Sequence, residues 1–285
     1  MIIDTHVHFY DPSRIGGVPY PHPDEPIDNP LYRTILPNHY RSEAVQEGVT
    51  GVVVVEASEW VEDNQWVLDL VKKDTFLVGM VGNLNPYSYD FRRNLNRFVA
   101  SPFFRGIRVR ELTHSLVNNP EGALDSLELL EAKDLELDVH ITNLQFQWLF
   151  EIIERLPKLR VVINHIADGR PITGNPPSPS WIRNIQRIAK SPSVYCKVSA
   201  IVQMAEIVPA PADVNYYRPQ LDALWNAFGE DRLIYASNWP NSIRGASYAL
   251  QQKVVASYFG EKGEEAFQKF FWKNSKDVYK WVDRG

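Results

Sequence analysis

Short runs of β-branched and aliphatic residues alternate along the chain with longer stretches whose apolar positions recur every three to four residues. Val49 to Ala57 (VTGVVVVEA) is a near-continuous β-branched run, as in strands covered on both faces. Trp60 to Lys73 then sets Trp66 with Leu70, and Val67 with Val71, at helical spacing. The pattern predicts a first strand over Ile2 to Phe9 and later strands over Phe76 to Leu84, Phe104 to Leu112, Leu137 to Asn143, Leu159 to Ala167, Val194 to Ile201 and Leu233 to Trp239. Between them it predicts a helix capped by Asn38 and stopped by Gly48, then helices over Asp90 to Val99, Gly122 to Ala132, Gln145 to Arg155, Trp181 to Lys190 and Pro219 to Phe228. Ala246 to Phe259 and Glu264 to Trp281 complete the chain as helices.

Eight strands, each followed by a helix, match a closed (β/α)8 TIM barrel. The expectation is α/β, one domain over residues 1–285, with an extra C-terminal helix. The competing open, doubly wound sheet usually carries a glycine-rich phosphate loop or a G-x-S-x-G elbow, and neither is present. Asp11 to Pro37 holds Pro12, Pro19, Pro21, Pro23, Pro26, Pro30 and Pro37, and proline breaks both helix and ladder. A loop that long inside a barrel is expected to act as a lid over a site.

Active sites in such barrels lie at the C-terminal ends of the strands, so the polar residues there are the candidates. The first strand ends in His6 and His8, which share a face because strand side chains alternate. The second ends in Glu56 after four valines, where an unpartnered carboxylate is costly, so a cationic or histidine partner is expected. The third carries Asn83 and Asn85, the fourth Arg108 and Arg110, the fifth His140, the sixth His165, the seventh Lys197 and Ser199, and the eighth Asn238 and Trp239. Four of the seven histidines fall at strand ends; His114 lies just past the fourth strand, and His22 and His39 lie in the first loop. Any one of them has a structural explanation as a satisfied core residue, whereas the set converges on a site.

Charge and composition narrow the partners. The net charge of −5 without a basic stripe argues against nucleic acid or an anionic membrane. No apolar run approaches the roughly 20 residues of a membrane span. The single Cys196 excludes an internal disulfide framework and, with no leader segment in view, leads to the expectation of a cytoplasmic protein acting on a small molecule, with a homo-oligomer as the candidate assembly.

The motif His6-x-His8-Phe9-x-Asp11-Pro12 and the string Phe228-Gly229-x-Asp231-Arg232-Leu233-x-Tyr235-x-Ser237-x-Trp239-Pro240 resemble the amidohydrolase superfamily. The branch is that of the sugar lactonases and pyrone-dicarboxylate lactonase. Gly106-Ile107-Arg108, Lys197-Val198-Ser199 and Asn274-x-x-x-x-Tyr279 also match it, so the likeness spans the chain. It implies hydrolysis of a lactone or related ester, with a divalent metal in some members and none in others. One departure stands out: Asn238 occupies the position where the superfamily usually carries an aspartate, and an amide cannot serve as a base.

Two versions of the chemistry follow. In one, His6, His8 and His140 bind a single Zn²⁺-like ion that acidifies a bound water. In the other there is no metal, and the same histidines with Lys197 polarise the carbonyl. In both, His165 moves the proton and Asn238 orients the water. Arg108 and Arg110 are suited to a substrate carboxylate, with Glu56 and Trp239 completing the binding wall. The alternatives are a related decarboxylase and a catalytically impaired binding protein, the latter because of Asn238.

Overall fold

Eight parallel strands hydrogen-bond in chain order, β1 through β8, in a computed structural model that describes residues 1–14, 31, 33–113 and 123–285. They are β1 (Ile3–Val7), β2 (Gly51–Val55), β3 (Leu77–Gly82), β4 (Phe104–Val109), β5 (Glu136–Val139), β6 (Arg160–Ile163), β7 (Val194–Val198) and β8 (Leu233–Tyr235). Asn238 N–H donates to His6 O and His8 N–H to Trp239 O, both at 2.9 Å, so the chain beyond β8 returns to β1 and closes the ring. Most of the proline-rich loop, including His22, lies outside the described residues, as does His114.

The valine-rich β2 shows why these runs become strands. Val53 and Val55 pack inside the barrel with Ile3, Val78, Val81, Val162 and Ile234, while Val52 and Val54 face the helical layer. Both faces are dry, which is where branched side chains fit best. In β5 the alternation is polar: Leu137 and Val139 join the outer core, whereas Glu136 and Asp138 are buried on the other face. The floor of the barrel is plugged by the C-terminal segment. Val278, Tyr279 and Trp281 join the interior cluster, and Arg105 Nε and Arg160 Nε, at the starts of β4 and β6, donate to Tyr279 O and Val278 O at 2.8 and 2.7 Å.

Several boundaries differ from the sequence pattern. The helix expected from Pro219 begins at Val214, capped by the Asp213 carboxylate on Asn215 N–H, with Pro219 inside it. Pro37, rather than Asn38, opens the first helix (Pro37–Ala44), in keeping with proline's preset φ. The C-terminal helix is interrupted by a π-helical turn over Lys269–Lys273 and ends at Tyr279. β6 stops at Ile163 rather than Ala167, because the backbone turns left-handed from His165 onward.

Candidate active site

A cavity of about 330 Å³ opens at the C-terminal ends of the strands. Its wall includes His8, Arg108, Arg110, His140, His165 and Asn238, six of the ten residues given a role in the chemistry from the sequence. The other four stand behind it. His6, Lys197 and Trp239 are fully buried, and Glu56 is 3% exposed. Trp239 does not line the cavity: its ring packs in the outer layer against Tyr40 and its indole N–H donates to Glu43 at 3.3 Å, because Asn238 takes the inward position.

The buried groups form one hydrogen-bonded chain whose tautomers follow from its ends. His8 Nδ1 lies 3.0 Å from Val55 O and must donate to it, so His8 Nε2 is an acceptor. His6 Nε2, 3.2 Å away, must then be the donor, which leaves His6 Nδ1 to accept from Lys197 Nζ at 3.2 Å. Lys197 also donates to Asp138 Oδ2 at 2.5 Å, and Tyr279 OH donates to Asp138 Oδ1 at 2.8 Å. The line therefore runs from the floor plug to the wall. Lys197, expected to polarise the substrate carbonyl, is fully buried and meets His6 instead of the cavity. Burial pulls its pKa down while Asp138 pulls it up.

Glu56 has the cationic partners its burial demanded. Arg108 Nε and Arg110 Nη2 donate to its two oxygens at 2.7 Å, and Arg108 Nη2 reaches Glu56 O at 3.0 Å. The two guanidinium groups, expected to bind a substrate carboxylate, thus already hold the Glu56 carboxylate while lining the cavity. Arg108 Nη1 sits 3.3 Å from His6 Nε2, which in the tautomer above offers it no lone pair.

The imidazoles are neutral at neutral pH. Burial, reinforced by Arg108, lowers His8 to about 3. Burial and then Lys197 push His6 well down, burial and then His140 do the same to His165, and burial with Arg108 lowers His140. His165 Nδ1 lies 2.8 Å from Ser199 Oγ; when it donates there, Nε2 keeps the lone pair. The His165 ring lies between His6 and His140, with centroids at 4.6 and 5.5 Å. Asn238 Nδ2 donates to Gln203 Oε1 at 3.2 Å, leaving its Oδ1 as an acceptor at the wall.

His165 is presented by strained backbone. His165, Ile166, Ala167 and Asp168 all have φ near +50°. Left-handed geometry costs an ordinary L-residue about 1–2 kcal/mol.

Two of the expected metal ligands are well spaced, since 3.2 Å between the Nε2 atoms of His6 and His8 suits two corners of a tetrahedron. The remainder of the shell does not suit a cation. His140 does not join them, and no group of three or more His, Cys, Asp or Glu side chains among the described residues is arranged to hold a metal. A ligating histidine normally donates its other N–H to a carbonyl or carboxylate, as His8 does, but His6 Nδ1 faces an ammonium. Arg108 occupies the approach to His6 Nε2, and no carboxylate lines the cavity among the described residues. The residues present do not fit a metal centre.

Sequence reasoning passed over Asp138, Gln203 and Arg170, and named Tyr279 only as part of a motif, without a place in the site. Asp138 had a signal, an acid two positions before His140 in an apolar strand. Gln203 and Arg170, which also line the cavity, sit on loops without periodicity.

The amidohydrolase family model matches residues 3–281. An L-fucono-1,5-lactonase of Burkholderia ambifaria is 30% identical over 266 residues, covering 92% of this chain and 84% of the relative. An L-rhamnono-gamma-lactonase of Scheffersomyces stipitis is 23% identical, covering 98% of each chain. Among solved structures, an amidohydrolase from Burkholderia multivorans with bound zinc superposes with a TM-score of 0.83 at 20% identity, over 99% of both chains. Taken with the barrel and the histidines at its mouth, these matches make the chain a member of the amidohydrolase family.

Proposed function

We propose that the protein is a lactonase that opens a sugar lactone or related cyclic ester by direct attack of water, using side chains alone. The observation that carries the reading is that His165, its Nδ1 2.8 Å from Ser199 Oγ, lines the same cavity as Arg108, with the lactonase relatives supplying the substrate class.

The lactone carbonyl oxygen takes hydrogen bonds from Arg108 Nη1, whose guanidinium is held in place by Glu56. Donors fixed before the reaction stabilise the charge that develops on that oxygen. Water is held by Asn238 Oδ1, an acceptor that orients but does not deprotonate. His165 Nε2 takes the water proton as the oxygen attacks the carbonyl carbon. When the ring C–O bond breaks, the same proton passes to the departing alkoxide. The product is the open hydroxy acid, and His165 ends neutral. Asn238 thus does not disable the site, because the proton moves through the imidazole. Lys197, balanced by Asp138, fixes the His6 tautomer and with it the cationic side of the wall.

The test is acid release from a panel of aldonolactones and pyrone carboxylates, followed by a pH indicator with chelator present and gas evolution monitored. Acid without carbon dioxide supports the lactonase. Carbon dioxide release would favour a decarboxylase, and tight binding without turnover an inactive descendant.

A further inference from the structure

After β6 the chain turns the wrong way for L-residues. Ile166 (φ 51°, ψ 33°) and Ala167 (φ 52°, ψ 43°) are left-handed, flanked by His165 (φ 51°) and Asp168 (φ 50°). Only glycine and, less often, asparagine or aspartate visit this region readily, and then singly, so a run of four that includes a β-branched residue persists only if its surroundings impose it. We propose that this turn is a positioning element for the His165 imidazole, and that Trp181 and Gln220 are the positioning residues that impose it. The proposal rests on the lactonase reading for its kinetic consequence, not for its structural one.

The holding contacts come from two separate helices. Trp181, on the helix Pro179–Ile188, donates its indole N–H to Ile166 O at 3.2 Å. Gln220, on Val214–Phe228, donates its amide to Gly169 O at 2.8 Å. Both side chains crowd Gly169, where a Cβ would come within 2.3 Å of Gln220 Nε2 and 3.0 Å of the Trp181 ring. The clamp closes on a position that admits no side chain. At the start of the turn Ala167 N–H donates to Asn164 O at 3.0 Å. Left-handed non-glycine backbone also recurs beside the cavity at Ala200 (φ 57°) and Asn238 (φ 63°), which both line it. Relaxation to a right-handed turn would swing residue 165 off the wall and break its contact with Ser199.

Trp181→Phe keeps an aromatic ring and removes the indole N–H. Trp272→Phe makes the same change far from the cavity, where the indole donates to Gln268 at 2.6 Å. The expected result is a kcat roughly tenfold to a hundredfold lower in Trp181→Phe, with KM changed much less, since small misplacement of a reacting group costs rate. Trp272→Phe should keep the wild-type kcat. Imidazole ¹⁵N spectra, which need no substrate, should show His165 as the Nδ1–H tautomer in wild type and a mixture in Trp181→Phe. Gln220→Met repeats both readouts should Trp181→Phe fail to fold. Unchanged His165 spectra in the clamp variants, or equal kcat losses in Trp181→Phe and Trp272→Phe, would overturn the proposal. If wild type opens no lactone, the functional reading fails, and the spectra alone still decide whether the clamp holds His165.

Discussion

The two ends of the barrel are built on opposite principles. At the floor, Tyr279 and Trp281 fill the space between the strands, and the Asp138–Lys197 pair just above is fully buried. At the mouth, three successive strand ends carry left-handed backbone at non-glycine residues, and the wall holds neutral imidazoles beside arginines. The floor turns close packing into stability. The mouth gives stability up, through strain and through histidines that resist protonation, in exchange for placement. In one barrel the residues that matter for folding and those that matter for rate are thereby separated along the axis.

The sharpest way to break that contrast is to remove the proton carrier. His165→Asn should lower kcat by about a hundredfold to ten-thousandfold, the usual worth of a general base, with little change in Tm. Arg108→Met should cost about a hundredfold to a thousandfold in kcat through the lost oxyanion donor. At the floor the signs reverse: Trp281→Ala should cost about 3–5 kcal/mol in chemical unfolding while the folded fraction keeps its kcat.

A subtler test uses pH. The buried histidines have depressed folded pKa values, so below about 6.5 the unfolded chain takes up protons that the folded chain refuses. The histidine contribution to stability should be level above pH 6.5 and fall as pH drops toward 3, the value for His8, by up to about 1.4 kcal/mol per pH unit for each histidine. For the same reason kcat should hold its neutral value below pH 6.5 and decline only as pH falls through the depressed pKa of His165. The smallest expected effect is that of a chelator, which should leave the rate unchanged.

How legible this was in the sequence differs by region. The β-branched runs located all eight strands, because burial on both faces leaves little choice of residue. The polar strand ends located the wall, because side chains there point into the mouth whatever the loops do. The depth of each residue was not legible. His6 and Lys197 look like cavity residues on a linear pattern, yet they sit behind His8 and Arg108, since depth depends on strand stagger and on a register shift in β1. The aromatic plug was hidden because Tyr279 and Trp281 fall at the end of a predicted helix, where the sequence does not show that the segment turns into the barrel. The left-handed turn left no mark, since His165-Ile166-Ala167-Asp168 reads as the continuation of a strand. Its cause lies in Trp181 and Gln220, which only the folded chain brings there.

The most direct measurement is the rate of acid release from an aldonolactone by wild type and His165→Asn, each assayed in chelator and again with added zinc. Wild type should turn over equally in both conditions, and the variant should be slowed at least about a hundredfold in both. A wild-type rate that vanishes with chelator and returns with zinc, or a His165→Asn rate equal to wild type, would contradict water attack driven by side chains alone with His165 carrying the proton.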